Sequence, residues 1–332
     1  MRWKLAALIL AGAVGLLGPS GLSELSAGGH ASESASASRD AAAAGTCPAG
    51  DPASPERLRA DVSYLAAAER RGRAPGTKGD REARRFVAER FACLGLEPGG
   101  ARGDYQRRFR TSEGLPTANV IALLEAADPS RRAGALVVGA HHDHLGHRGR
   151  RIWAGANDNA SGTAALLAVA AELAARPEPL ARPVLFVAFG AEEESRTPPH
   201  LEGSVRFLRD PPLGFRRDDF AGMVNLDMLG TYHRRRGVQV FGPRRGDARW
   251  RAVKGAQPGA EPLRLRFPGN ATPGLSDAWP FQRNGIPTTF FHTPDPDCHH
   301  APCDRPAGLR YEPMARIARL AGGTTERLAA SG

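Results

Sequence analysis

Five short patches of this chain gather side chains able to do chemistry: His141-His142-Asp143-His144, the run from Gly155 through Asp158 to Gly162, Ala191-Glu192-Glu193, Asn225-Leu226-Asp227, and His300-Ala301-Pro302-Cys303-Asp304. Each stands where an apolar run ends. Imidazoles and carboxylates are not gathered at one place for packing, because burying charge is costly unless it is paired or bound to metal. A mixed nitrogen and oxygen donor set suits a borderline cation such as zinc. The chemistry within reach is metal-dependent hydrolysis, with donors enough for two zinc ions. His141 and Asp143 form an H-x-D pair at a strand end, and the alternation of a strand puts both on one side. There the carboxylate can hold the imidazole as a partner. His142 and His144 compete for the ligand role, but the favoured reading makes them loop histidines at the surface.

The elements that must position these patches follow from apolar periodicity. Pro55 to Arg70 has helical spacing through Leu58, Val62, Leu65 and Ala66. Gly72 to Gly79 reads as a turn, and Asp80 as the N-cap of a helix over 81–94. Ala118 to Leu124, Ala135 to Ala140, Pro183 to Phe189, Met223 to Met228, Val238 to Phe241 and Pro287 to His292 read as strands. Helices are expected from Ser161 to Arg176, over Gly203 to Arg209, and from Glu312. The unbroken apolarity of Ala135 to Ala140 suits a central strand covered on both faces. Alternating strands and helices predict an α/β fold: a three-layer α/β/α sandwich around a mixed, largely parallel sheet. In such sheets ligands bind beyond the C-terminal strand ends, where the patches lie.

The formal charge of +10 does not identify a nucleic-acid binder. Lys occurs only at positions 4, 78 and 254, so 42 of the 45 basic residues are Arg, spread along the whole chain with no recognisable nucleic-acid motif. A basic start, Met1 to Lys4, precedes the apolar run Leu5 to Leu17, the pattern of an export signal. The expected organisation is residues 1–27 as signal peptide or N-terminal anchor, 28–50 as a flexible Ala/Ser/Gly-rich linker, and 51–330 as one domain carrying the zinc chemistry. The protein is then secreted or periplasmic, tethered to the membrane if the signal is uncleaved. In an exported chain the four cysteines point to disulfides, and neighbourhood favours Cys47-Cys93 and Cys298-Cys303.

In the order and spacing of these motifs, from Gly76-Thr77-x-Gly79 and the helix ending Leu94-Gly95-Leu96 onward, the chain resembles the secreted bacterial zinc-dependent aminopeptidases with a co-catalytic dizinc centre. Their superfamily also includes glutaminyl cyclases and glutamate carboxypeptidases. The resemblance implies a role for each residue. His141 is a ligand oriented by Asp143, and Asp158 bridges both metals and precedes a cis peptide to Asn159. Glu193 and His300 complete one ion, Asp227 and His141 the other. Glu192 is the general base for a metal-activated bridging water.

This chain departs from the family's Tyr-His-x-Pro-x-Asp at His299-His300, so His299 and His292 stay as competitors of His300. Residues 194–202 form an insertion beside the cleft, and Ala278 replaces the histidine of a Ser-Asp-His motif. Trp153, Trp279, Phe281 and Phe291 are wall or core residues.

The implied activity is an aminopeptidase-like exopeptidase acting on peptides or aminoacyl compounds, monomeric and without nucleic-acid partners. The alternatives are a glutaminyl-peptide cyclotransferase, another amide hydrolase of the superfamily, or a non-catalytic periplasmic binding protein.

Overall fold

The computed structural model describes residues 47–193, 200–257, 259, 261–270, 274–295 and 297–330. The signal, most of the linker and most of the 194–202 insertion lie outside them. In chain order the elements are α1 (Pro55–Leu65), α2 (Lys78–Cys93), β1 (Glu97–Pro98), β2 (Gln106–Arg110), β3 (Pro116–Leu124), β4 (Ala135–His141), β5 (His147–Arg148), β6 (Arg151–Ile152), α3 (Gly162–Ala174), β7 (Val184–Phe189), α4 (Glu202–Arg209), β8 (Phe220–Asp227), β9 (Val238–Phe241), α5 (Ala248–Gly255), β10 (Leu265–Arg266), α6 (Ala278–Arg283), β11 (Thr288–His292) and α7 (Tyr311–Ala330).

The main sheet runs β1-β3-β7-β4-β8-β11-β9-β10, with β2 also on β3. Its heart, β7-β4-β8-β11, is parallel, and antiparallel β3 and β9 flank it. Parallel neighbours need crossover helices. The run of small and apolar residues in α3 supplies one, buried along most of its length.

Alternation along the central strands sorts side chains into two cores. Val138, Phe186, Val224 and Phe291 pack with Leu58, Leu166 and Ile317 of α1, α3 and α7. Val137, Leu185, Val187 and Phe189 pack with Phe207 and Phe281 of α4 and α6 on the opposite face. The architecture is therefore an α/β/α sandwich, and Phe281 and Phe291 are core residues rather than cleft walls.

Several local expectations are corrected. Thr77 caps α2, its hydroxyl accepting from the Asp80 amide at 3.2 Å. Asp80, one turn in, points its carboxylate inward instead. It accepts from Arg84 and Thr117 and faces His142 Nε2 at 3.2 Å. A cap needs only a free oxygen one turn ahead, which Thr77 supplies, so Asp80 is released for the interior. Strand β2 was not legible, because Gln106-Arg107-Arg108-Phe109-Arg110 has one apolar side chain and gains its conformation by pairing with β3 at the sheet edge. The hairpin β5–β6 and helices α5 and α6 were also not anticipated. Both disulfides are formed, Cys47-Cys93 and Cys298-Cys303, leaving no free cysteine among the described residues. No helix of the described residues is long and apolar enough to cross a membrane.

Candidate metal centre

Because β7, β4, β8 and β11 run parallel, their C-terminal ends meet at one edge of the sheet. His141 is the last residue of β4 and Asp227 the last of β8. Glu192 and Glu193 follow β7, and His299 and His300 lie in the loop after β11. Asp158 enters from the irregular turn Ala156–Ser161 that leads into α3. Ala191, Met228 and His300 have φ of 57°, 57° and 52°, a region non-glycine residues adopt at a cost. All three stand at or next to a donor. The Asp158-Asn159 peptide is cis.

The donor atoms converge. Asp158 Oδ1 lies 3.3 Å from His141 Nε2, while its Oδ2 lies 3.2 Å from His300 Nε2 and 3.4 Å from His299 Nε2. His141 Nε2 is 3.5 Å from Asp227 Oδ1, and His300 Nε2 is 3.0 Å from Glu193 Oε2. Ligand atoms around a tetrahedral zinc are about 3.3 Å apart, so these separations fit. Both ring nitrogens of buried His141, and Asp227 Oδ1, have no hydrogen-bond partner. Buried polar atoms without partners are costly; an ion would partner His141 Nε2 and Asp227 Oδ1, which face the other donors, while His141 Nδ1 faces Asp143 at 3.9 Å. Three groups of side chains could each hold an ion: Asp158, His299 and His300; His141, Asp158 and Glu193; and His141, Glu192 and Asp227. Together they form candidate clusters consistent with a dinuclear site. His292 instead sits with Nδ1 at 3.1 Å from the Asp227 carbonyl oxygen, and belongs to none of these groups.

The paired glutamates differ in environment. Burial, reinforced by Glu193, Asp277 and Asp227, pushes the Glu192 carboxyl well above its ordinary range, against the pull of His141. Burial and Asp158 also push Glu193 upward, but His144 and His300 outweigh them and bring it down to about 2. Burial likewise raises Asp277 to about 7.

The side chains around the donors hold surprises for the sequence reading. Asp143 Oδ1 is 3.9 Å from His141 Nδ1, too far for a hydrogen bond. Its carboxylate accepts the backbone amides of Glu192 and Glu193 instead, and so ties β4 to the two glutamates. His142 and His144 are fully buried, not surface residues. His144 Nδ1 sits 2.5 Å from Glu193 Oε1, and its ring packs where a side chain on Gly155 would stand, Cδ2 being 2.5 Å from that position. Gly155, with φ of 60°, is therefore required on two counts. Asp304 accepts the amides of Asn157 and Asp158 at 2.7 and 3.0 Å, latching the His300 loop to the Asp158 turn.

Arg73 was missed altogether. It is fully buried and donates to the carbonyl oxygens of His142, Leu65, Ala154 and Gly155 at 2.7–2.9 Å. Burial pulls its pKa down to about 10 even though Asp304, Asp143, Asp158 and Glu193 favour its charge. Among so many arginines, only its place inside the Gly72–Gly79 turn could have singled it out.

Residues 119–325, more than half of the chain, match the model of peptidase family M28. The chain belongs to peptidase family M28. A search of curated protein sequences returns no match. Among solved structures, the M28 chain is similar to the LapA aminopeptidase of Legionella pneumophila, at 19% identity and a TM-score of 0.64, over 83% of this chain and 72% of that one. An aminopeptidase from Aneurinibacillus sp. strain AM-1 matches at 17% identity and TM-score 0.64, covering 85% and 95%. A glutaminyl cyclase from Porphyromonas gingivalis matches at 20% identity and TM-score 0.61, covering 84% and 99%. These likenesses establish the fold. Family membership and the donor clusters make the protein a metallohydrolase of the zinc-peptidase type.

Proposed function

We propose that this protein is a zinc-dependent aminopeptidase that hydrolyses the N-terminal peptide bond of peptides. In this reading Asp158, Glu193 and His300 hold one zinc, Asp158, His141 and Asp227 hold the second, and Glu192 is the general base. The observation that carries it is the convergence of the donors at one sheet edge, with Asp158 Oδ1 3.3 Å from His141 Nε2, its Oδ2 3.2 Å from His300 Nε2, and His300 Nε2 3.0 Å from Glu193 Oε2. Glu192 stands beside these donors, its Oε2 3.9 Å from His141 Nε2, with its proton affinity raised by burial.

When bound, the metal pair would lower the pKa of water and polarise the scissile carbonyl. The chain's own residues supply the rest. Glu192 takes a proton from the attacking water and passes it to the leaving amine. Asp143 fixes the backbone that presents Glu192, and His144 holds one oxygen of Glu193 so that the other faces His300. The free amine of the substrate is drawn by the carboxylates of the cleft. Residues 1–27 as export signal or anchor, 28–50 as linker and 51–330 as catalytic domain belong to the same proposal, and place the enzyme in the periplasm or outside the cell.

Zinc content after purification without chelator, together with a panel of aminoacyl-anilides and their N-acetylated forms, tests the proposal. Close to two zinc equivalents and hydrolysis restricted to free amines are expected. One equivalent at saturating zinc with full activity would transfer the site to cyclase-like chemistry, the reading favoured by the likeness to a glutaminyl cyclase.

A further inference from the structure

Two cavities open on either side of the Glu193–His300 pair, both of which line each cavity. One, about 360 Å³, is walled by acids and by His141, His200, His292 and His299; with Asp158, Glu193 and Asp227 assigned to the metals, Glu192 and Asp295 are the carboxylates it keeps for a ligand. The other, about 500 Å³, is walled by Ala74, Pro75, Leu115, Leu145, Trp153 and Arg148. Acids also border this second cavity, but Asp143 is committed to the amides of Glu192 and Glu193. Glu202 is committed to the Ser112 amide and hydroxyl and to Arg206. Glu113 stands on its exposed lip. Arg148 is its cation.

The wall that carries Arg148 is built and attached to the metal site. Trp153 donates its indole N–H to the His300 carbonyl oxygen at 3.1 Å. The guanidinium carbons of Arg148 and Arg151 lie 5.7 and 5.3 Å from the centre of the Trp153 ring, so the ring orients both. The hairpin β5–β6 bearing them is anchored where Gly146 N donates to Gly72 O at 3.1 Å. A side chain on Gly72 would come within 2.4 Å of the carbonyl oxygens of Trp153 and Gly146, so only glycine permits that approach.

We propose that this second cavity receives the leaving part of a short peptide, with its side chain against Leu115, Leu145 and Trp153 and its C-terminal carboxylate on Arg148. The inference rests on the exopeptidase reading above and names its substrate class: di- and tripeptides with a free carboxyl end. Charge fixes the direction. The ammonium end belongs in the cavity that keeps Glu192 and Asp295, and the carboxylate end on the arginine, with the scissile bond over the ligands that the cavities share. Arginine suits the task, since its planar fork matches a carboxylate and the Trp153 ring lies within cation–π range of it.

The experiment compares kcat/KM for Leu-Leu and Leu-Leu-amide with the zinc-loaded enzyme, alongside leucine p-nitroanilide. Arg148 is exposed, so the free acid should be favoured by about tenfold rather than more. Arg148→Ala should bring the ratio close to one and Arg148→Lys should retain part of it. Arg151→Ala, on the same ring, should keep the preference. Equal rates on the two dipeptides, or a preference that survives Arg148→Ala, would overturn this inference alone, provided the anilide is cleaved. No turnover of any of the three would overturn the exopeptidase reading, and this inference with it.

Discussion

Replacing Arg73 by Met should unfold the site before it changes anything at the surface. The guanidinium serves carbonyl oxygens of His142, Leu65, Ala154 and Gly155, in three separate segments, at 2.7–2.9 Å. Charge-assisted hydrogen bonds contribute about 1.5–3 kcal/mol each, but burying the cation offsets part of that sum. The depressed pKa of about 10 is the mark of that burial. Removing the guanidinium strips four buried carbonyl oxygens of their donor, at about 1–3 kcal/mol each, and relief of the buried charge returns part of that, leaving a net cost of about 3–5 kcal/mol. For a domain of this size each 1 kcal/mol corresponds to about 2–4 °C. Arg73→Met should therefore melt about 6–20 °C lower. It should also bind zinc more weakly, because the segments that carry His141 and Asp158 lose their common tie. Arg73→Lys keeps the charge but has three donors on one nitrogen, and should fall between. Differential scanning calorimetry with zinc titration by isothermal calorimetry measures both effects. A melting point within about 2 °C of the unmodified protein, with unchanged zinc affinity, would refute the reasoning.

Three further outcomes are expected. Glu192→Gln should leave both metals bound yet lower kcat by about 10²–10⁴-fold or more, whereas Glu193→Gln should weaken one metal and regain activity at high zinc. Near-normal turnover of a fully metallated Glu192→Gln enzyme would remove Glu192 as the base. Burial raises the Glu172 carboxyl from 4.5 to about 7, helped by Asp51 and Glu326 and opposed by Arg319. The folded protein thus holds this proton more tightly than the unfolded chain, so the associated stability is complete below about 4.5 and lost as pH rises through about 7. Glu172→Gln should gain up to about 3 kcal/mol above pH ~7 and nothing at pH ~4, and a melting-temperature gain that is the same at both ends would contradict the assignment. Finally, replacing Cys298 and Cys303 together by Ala should weaken the ion assigned to Glu193 and His300 more than the one assigned to His141 and Asp227. Equal weakening in a two-site zinc titration would show that the ring does not serve the His300 loop.

The parts of this molecule that were legible in its sequence share a cause. Apolar runs such as Ala135–Ala140 and Val184–Phe189 announce central strands, and a polar patch after each run announces a ligand loop, because both signals are local. The side chains that steady the donors carry no such local mark. Arg73 meets His142, Ala154 and Gly155 across 69 to 82 residues, and His144 meets Glu193 across 49. A histidine destined for such a partner looks like any loop histidine, which is why His142 and His144 were misplaced at the surface. The same holds for Asp143, whose H-x-D spacing points to His141 although its carboxylate is spent on the Glu192 and Glu193 amides.

The latch between Asp304 and the amides of Asn157 and Asp158 has a consequence for how such a protein can diversify. It fastens the last donor loop to the Asp158 turn by a side chain that is neither a proposed ligand nor part of either cavity's wall. Cavity-facing positions that touch no donor, such as Leu275 and Pro294 on one side and Leu115 and Leu145 on the other, are thereby freed from holding the donors in place. Such positions can be enlarged, recharged or exchanged by drift while the donors keep their places. A lineage built this way can change what it accepts without first surrendering the ability to act on it.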